Sequence, residues 1–170
     1  MEIIHRKTIP TPLGEMFACA VDEGICLLEF TDRKNMEKQF KSLATALYAE
    51  IVEKDHQHFH QLEKELTEYF EGKRERFETP LFITGTAFQK KVWELLSAIP
   101  MGEIRTYKQQ SEFLGNPKAI RAVGTANGIN KIAILIPCHR VIGSNGELVG
   151  YAGGIWRKQK LLELEKAILF

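Results

Sequence analysis

The chain has 170 residues, 44% of them hydrophobic, enough for one cored domain or two small ones. No apolar run approaches the roughly 20 residues of a membrane-spanning helix, and Met1-Glu2-Ile3-Ile4-His5-Arg6 lacks the apolar stretch of a secretion signal. The formal net charge of +1 hides an asymmetry: residues 1–86 carry 11 Lys and Arg against 16 Asp and Glu, and residues 87–170 carry 12 against 6. The basic back half is therefore the part suited to a polyanion.

Three cysteines cannot all pair within one chain, so a reducing, cytoplasmic setting is expected. Cys19 and Cys26 flank Asp22-Glu23-Gly24, a turn between two strands at about 16–30, and read as small buried hydrophobes. A polar helix follows around Asn35–Tyr48. In the next helix Phe59, Leu62, Leu66, Tyr69 and Phe70 share one apolar stripe, and Gly72 stands just past its end. His56, His58 and His60 lie at its start. His56 and His60 have the spacing of metal ligands, yet no third ligand is suitably spaced, and a solvated helix entrance is the plainer reading. No metal or cofactor is expected. Residues 78–86, with Pro80 and Gly85, read as a linker, which divides the chain into 1–82 and 83–170.

Thr86 and Gln89 form a capping box, after which Phe88, Val92, Leu95, Leu96 and Ile99 recur at helical spacing until Pro100. Thr106 and Gln109 form a second box, opening a helix that runs to about Leu114. Gly115 then closes it, with Asn116 as N-cap and Pro117 as first residue of a helix reaching about Asn127. Helix, tight turn, helix is a DNA-binding arrangement. The second helix is unusually slim: after Ile120 and Arg121 come Ala122, Val123, Gly124, Thr125 and Ala126. An ordinary helix is about 10–12 Å across and the minor groove about 6 Å wide, so only a stripped helix can approach a widened minor groove. The competing reading is that these small residues allow tight packing on a neighbouring helix.

Ile132 to Ile136 is a short β-branched apolar run and reads as a buried strand, ended by Pro137. Cys138 follows, beside His139 and Arg140, two groups able to stabilise a thiolate, which marks it as a nucleophile. Adjacent strand residues point to opposite faces, so either the turn reorients thiol and imidazole or a water links them. An imidazole base needs a third group to orient it, and Glu163 and Glu165 are the nearest candidates. Gly150-Tyr151-Ala152-Gly153-Gly154 can bring bare backbone against a flat ligand, although it fits no phosphate-binding fingerprint.

Together these runs resemble the methylated-DNA–protein-cysteine methyltransferase (O6-alkylguanine-DNA alkyltransferase) family. The resemblance rests on Pro137-Cys138-His139-Arg140-Val141-Ile142, with Phe88-Gln89 to Val92-Trp93, Ile99-Pro100 to Gly102-Glu103, and Gly115-Asn116-Pro117 to Arg121-Ala122-Val123-Gly124 in the family's order. It covers about residues 80–166. It implies an α+β fold: a small ribonuclease-H-like N-terminal domain with an antiparallel sheet and a structural role, then a winged helix-turn-helix-like C-terminal domain. It implies a monomer acting on double-stranded DNA that contains O6-alkylguanine, with no membrane partner. The damaged base is flipped out and its alkyl group passes irreversibly to Cys138, one transfer per molecule.

In that scheme His139 is the base acting through a water, and Glu165 orients it. Tyr107 crowds the target phosphate and protonates the departing guanine. Asn130 ties the recognition helix to the active-site strand. Arg121 fills the gap left by the base, with Ala122, Gly124 and Thr125 beside it on the DNA, and Val149, Gly150, Tyr151 and Ala152 line the base pocket. Lys131 and Ala133 stand where relatives carry prolines, which bears on the adduct size accepted, and the resemblance leaves O4-alkylthymine open as a second substrate. The alternatives are a cysteine hydrolase, which would turn over, and a damaged-base sensor, which would need no Cys138.

Overall fold

The computed structural model describes residues 2–167. Contacts divide it into two compact units that change over between Thr84 and Gly85.

The first unit is a four-stranded sheet with two helices. Strands β1 (Glu2–Ile9), β2 (Met16–Val21) and β3 (Gly24–Phe30) run antiparallel, and β4 (Ala49–Glu53) joins the edge parallel to β1, in the order β3-β2-β1-β4. The expected hairpin is β2–β3, turning at Asp22 and Glu23. β1 and β4 are additions to the sequence reading. Helix α1 (Met36–Leu47) lies within the expected polar stretch, and α2 (Gln57–Phe70) stops at Glu71 and Gly72. Ile4, Cys19, Cys26, Leu27, Phe40 and Leu43 form one core. Both cysteines are fully buried, and burial pushes the Cys19 thiol up, so these are packed hydrophobes.

The expected linker proves to be part of this unit. Ile25 donates to the Pro80 carbonyl at 2.8 Å, and Phe82 donates back to Ile25 at 2.8 Å. Gly24 makes this approach feasible, because a Cβ there would stand 2.6 Å from the Pro80 oxygen. The histidines do not share one environment. His56 caps α2 and faces Asp22 at 3.2 Å, His58 is buried against the Asp22 carbonyl at 2.8 Å, and exposed His60 meets Asp55 at 2.5 Å. No group of three donors among the described residues is placed to hold a metal.

In the second unit α3 (Ala87–Ser97), α4 (Tyr107–Phe113) and α5 (Ile120–Gly128) pack together, and both capping boxes form with both bonds in place. Gly115, at φ 86°, ends α4: its N–H reaches the Glu112 carbonyl and that of Asn116 the Ser111 carbonyl. The next helix starts later than expected. Asn116 to Ala119 form a turn closed by Ala119 N–H to the Asn116 carbonyl at 3.0 Å, so Asn116 is no N-cap and Pro117 precedes the helix. Strands β5 (Arg105–Thr106) and β6 (Val141–Ile142) pair in parallel, and α6 (Ile155–Leu164) closes the unit. No helix among the described residues is long and apolar enough to cross a membrane.

Candidate active site

Ile132, Ala133, Ile134 and Ile136 are buried as expected, with Leu135 half-buried, but the run is not a strand. They fold into consecutive turns: Leu135 N–H bonds the Ala133 carbonyl, Ile136 N–H bonds that of Ile132, and Ile134 is held at φ 72°. A left-handed β-branched residue is costly, and Asn130 supplies what holds it. Its buried side chain accepts from Ile132 N–H at 3.0 Å and donates to the Ile136 carbonyl at 2.8 Å. Asn130 thus ties the end of α5 to a turn, where a strand was expected.

Pro137 closes a tight turn in which Cys138 N–H reaches the Ile136 carbonyl at 2.8 Å, and Cys138–Arg140 form a single 3-10 turn. At about three residues per turn, Cys138, His139 and Arg140 diverge by about a third of a circle each, so the strand rule of opposite faces does not apply. Cys138 is 7% exposed, close to the surface yet mostly enclosed. His139 is fully buried, with Nε2 2.7 Å from Glu165 Oε2. That bond assigns the Nε2 proton towards the carboxylate and leaves Nδ1 an acceptor, which has no partner among the described residues. Burial lowers the imidazole below its usual range, and the pull of Glu165 does not restore it.

Arg140 departs from the sequence reading. Its guanidinium does not serve the thiol. Nε donates to Glu165 Oε1 at 2.8 Å, one terminal nitrogen to Oε2 at 3.0 Å, and the other to the Ile99 carbonyl at 2.6 Å. Burial alone would raise the Glu165 carboxyl, but His139 and Arg140 outweigh it and hold it down to about 2. Of the two candidate orienting groups the fold selects Glu165. Glu163 accepts from Gln159 and forms an ion pair with Lys160 on the same helix instead.

Tyr107 begins α4, and its hydroxyl donates to the Val149 carbonyl at 3.4 Å. Burial raises the phenol, with the Asn127 amide acting against it. The segment from Val149 to Ala152 lies opposite, with Gly150 so close that a Cβ there would be 3.8 Å from the Tyr107 oxygen. Arg121, Ala122 and Thr125 form the exposed face of α5, while Val123, Ala126 and Asn127 face inward. They line, with Phe88 and Lys118, an open groove of about 590 Å³. A Cβ on Gly124 would meet the Tyr107 ring at 3.9 Å, ordinary contact, so packing inside the unit does not require glycine there.

Three side chains escaped the sequence reading. Asn127 donates to the Cys138 carbonyl at 3.4 Å and faces the Tyr107 hydroxyl. Arg157 holds the Gly153 carbonyl at 3.0 Å. Lys158, fully buried, holds the Val149 carbonyl at 2.8 Å. Lys158 had a legible signal: it lies at i, i+3, i+4 and i+7 with Leu161, Leu162 and Glu165, a charged residue in the apolar stripe.

Comparisons with known proteins agree with this architecture. Residues 4–83 match the ribonuclease-like domain, and residues 87–167 the DNA binding domain, of the 6-O-methylguanine DNA methyltransferase family models. A methylated-DNA–protein-cysteine methyltransferase from Methanosarcina barkeri is 42% identical over 163 residues, 96% of this chain and 98% of that protein. The crystal structure of the Mycobacterium tuberculosis O6-methylguanine methyltransferase superposes with a TM-score of 0.82 at 38% identity, covering 96% of this chain and 93% of that one. A structure of that organism's protein in complex with DNA gives the same values. The two units, the buried network behind Cys138 and these matches have one reading: the chain belongs to the methylated-DNA–protein-cysteine methyltransferase family.

Proposed function

We propose that this protein repairs double-stranded DNA by moving the alkyl group of O6-alkylguanine onto Cys138, once per molecule. The observation that carries the reading is a near-surface cysteine on a turn whose next two residues share one buried carboxylate. Neutral His139, with its Nδ1 open and its other nitrogen anchored by Glu165, is suited to take the thiol proton through a water. Asn130 holds the turn that presents the thiol.

The slim face of α5 enters the minor groove, with Ala122, Gly124 and Thr125 against the backbone and Arg121 filling the gap left by the flipped base. Val149, Gly150, Tyr151 and Ala152 form the wall that receives the base, and Tyr107 protonates it as it leaves. A thioether has no carbonyl for water to attack, so the protein is consumed. Each lesion needs one cysteine, which suits a monomer, and three unbridged thiols suit a reducing cytoplasm. Every group named lies in the second unit, which leaves the first a structural role.

The test uses duplex DNA carrying methyl-labelled O6-methylguanine. One label per protein is expected at Cys138, and none in Cys138→Ala. Repair by that variant, or label elsewhere in the wild type, rejects the reading.

A further inference from the structure

Val123, Ala126 and Asn127 form the buried face of α5, and of the three only Asn127 is polar. Its amide carries two N–H donors and one oxygen. One N–H reaches the Cys138 carbonyl at 3.4 Å, the other faces the Tyr107 hydroxyl oxygen, and Oδ1 is buried with no partner among the described residues. A buried amide left half satisfied is unfavourable, and a leucine of similar size would fill the space without that cost. Packing therefore does not account for an amide here. Its orientation is also fixed: turned over, Oδ1 would oppose the Cys138 carbonyl, acceptor against acceptor.

Tyr107 is held where that amide can act on it. Its ring lies beside Gly124, one turn before Asn127 on α5: a Cβ on Gly124 would stand 3.9 Å from the ring. The phenol proton makes a long bond, 3.4 Å to the Val149 carbonyl, which already accepts from Lys158 at 2.8 Å. That proton is thus weakly held at the front, while the phenol oxygen keeps a donor behind it. Burial raises the phenol, and the Asn127 amide works against that rise.

We propose that Asn127 is a positioning residue for the proton transfer: its amide leaves the Tyr107 O–H turned to the departing base and stabilises the phenolate that remains. This rests on the reading that Tyr107 protonates the base as the alkyl group passes to Cys138. The S–C bond forms as the C–O6 bond breaks, and the electron pair of the broken bond passes to the purine, which takes the phenol proton. The electron pair of the O–H bond stays on Tyr107, so the Asn127 N–H then meets a full negative charge in place of a neutral oxygen. Hydrogen bonds to charged groups are about twice as strong as neutral ones. The gain therefore falls in the transfer and not in the resting protein. Water returns a proton to the phenolate once the base has left.

Single-turnover transfer from duplex O6-methylguanine should slow about tenfold in Asn127→Leu, as expected for losing one hydrogen bond to a charged oxygen. In a Tyr107→Phe background the same substitution should change nothing, whereas a merely structural role slows both alike. Carbon NMR of protein labelled at tyrosine Cζ, without DNA, should show Tyr107 titrating at higher pH in Asn127→Leu. The other titratable groups that face it, Cys138 from the 3-10 turn and Lys158 from α6, are unaltered in that variant. An unmoved titration, an unslowed transfer or equal slowing in both backgrounds overturns the proposal. If Asn127→Leu does not fold, Asn127→Ala is read in the same way. Tyr107→Phe transferring at the wild-type rate overturns the reading of Tyr107, and the proposal with it. The titration needs no alkylated DNA, so it separates that outcome from a failure of Asn127 alone.

Discussion

Two of the buried glutamates, Glu65 in the first unit and Glu165 in the second, carry the same side chain to different ends. Glu65 accepts from the N–H groups of Glu78 and Thr79, the Thr79 hydroxyl and the Gln61 amide, at 2.7–3.0 Å. Burial would raise its carboxyl, and these bonds hold it below the usual range. None of those four donors can change its charge near neutral pH, so Glu65 only fixes the segment that crosses back to β3. Glu165 accepts from His139 and Arg140. One of its donors can gain a proton, so a change at Glu165 is felt beside Cys138. The chemistry of the neighbours separates a structural carboxylate from a functional one, because burial and pKa direction are alike in both.

The comparison breaks if exchanging the two carboxylates' fates gives equal results. Glu165→Ala strands the Arg140 guanidinium in the interior. It should cost about 3–5 kcal/mol in denaturant titration and abolish methyl transfer per folded molecule. Glu65→Ala leaves two backbone N–H groups and a hydroxyl unpaired. A loss of about 1–3 kcal/mol is expected, with single-turnover transfer by the folded fraction unchanged.

The pH dependence sharpens the same contrast. The Glu165 carboxyl is lowered on folding, so its contribution is complete above its ordinary value of 4.5 and drains away as pH falls towards about 2. His139, also lowered, adds a loss in the same direction as pH drops below its ordinary 6.5. Denaturation midpoints should therefore fall with acid in the wild type and fall less steeply in Glu165→Gln. The smallest effect concerns the helix face. Gly124→Ala should stabilise the protein by about 0.5–1 kcal/mol, since the added methyl has room against Tyr107. Salt-controlled titration should show weaker duplex binding. Unchanged affinity would remove the reason for a glycine at that position.

What was legible in the sequence was local. Thr86 with Gln89 and Thr106 with Gln109 cap their helices through bonds spanning three residues, and a pattern of that length can be read directly. Cys138 and His139 were legible from their own run, whereas the orienting carboxylate stayed open between Glu163 and Glu165 until the family resemblance pointed to Glu165, and the fold brings His139 and Glu165 into contact. The run Ile132–Ile136 was misread because its burial fits a strand while its backbone obeys the side chain of Asn130, two to six residues away. Strand β4 pairs with β1 across more than forty residues, which no short-range alternation announces. Pro117 is favourable at the first turn of a helix, but here the turn closed by Asn116 delays the start to Ile120.

Helix α6 holds two separate segments of the second unit in place. Arg157 and Lys158 near its start grip the glycine-bearing loop, and Glu165 at its end grips the turn carrying the thiol. Seven residues at about 1.5 Å of rise bring Lys158 and Glu165 roughly 10 Å apart on one face, nearly two full turns. The helix is thus a ruler, and its pitch sets the spacing between the loop and the turn. A single residue inserted between those positions would swing one anchor by about 100° and unhook either the loop or the turn, although neither segment had itself been altered.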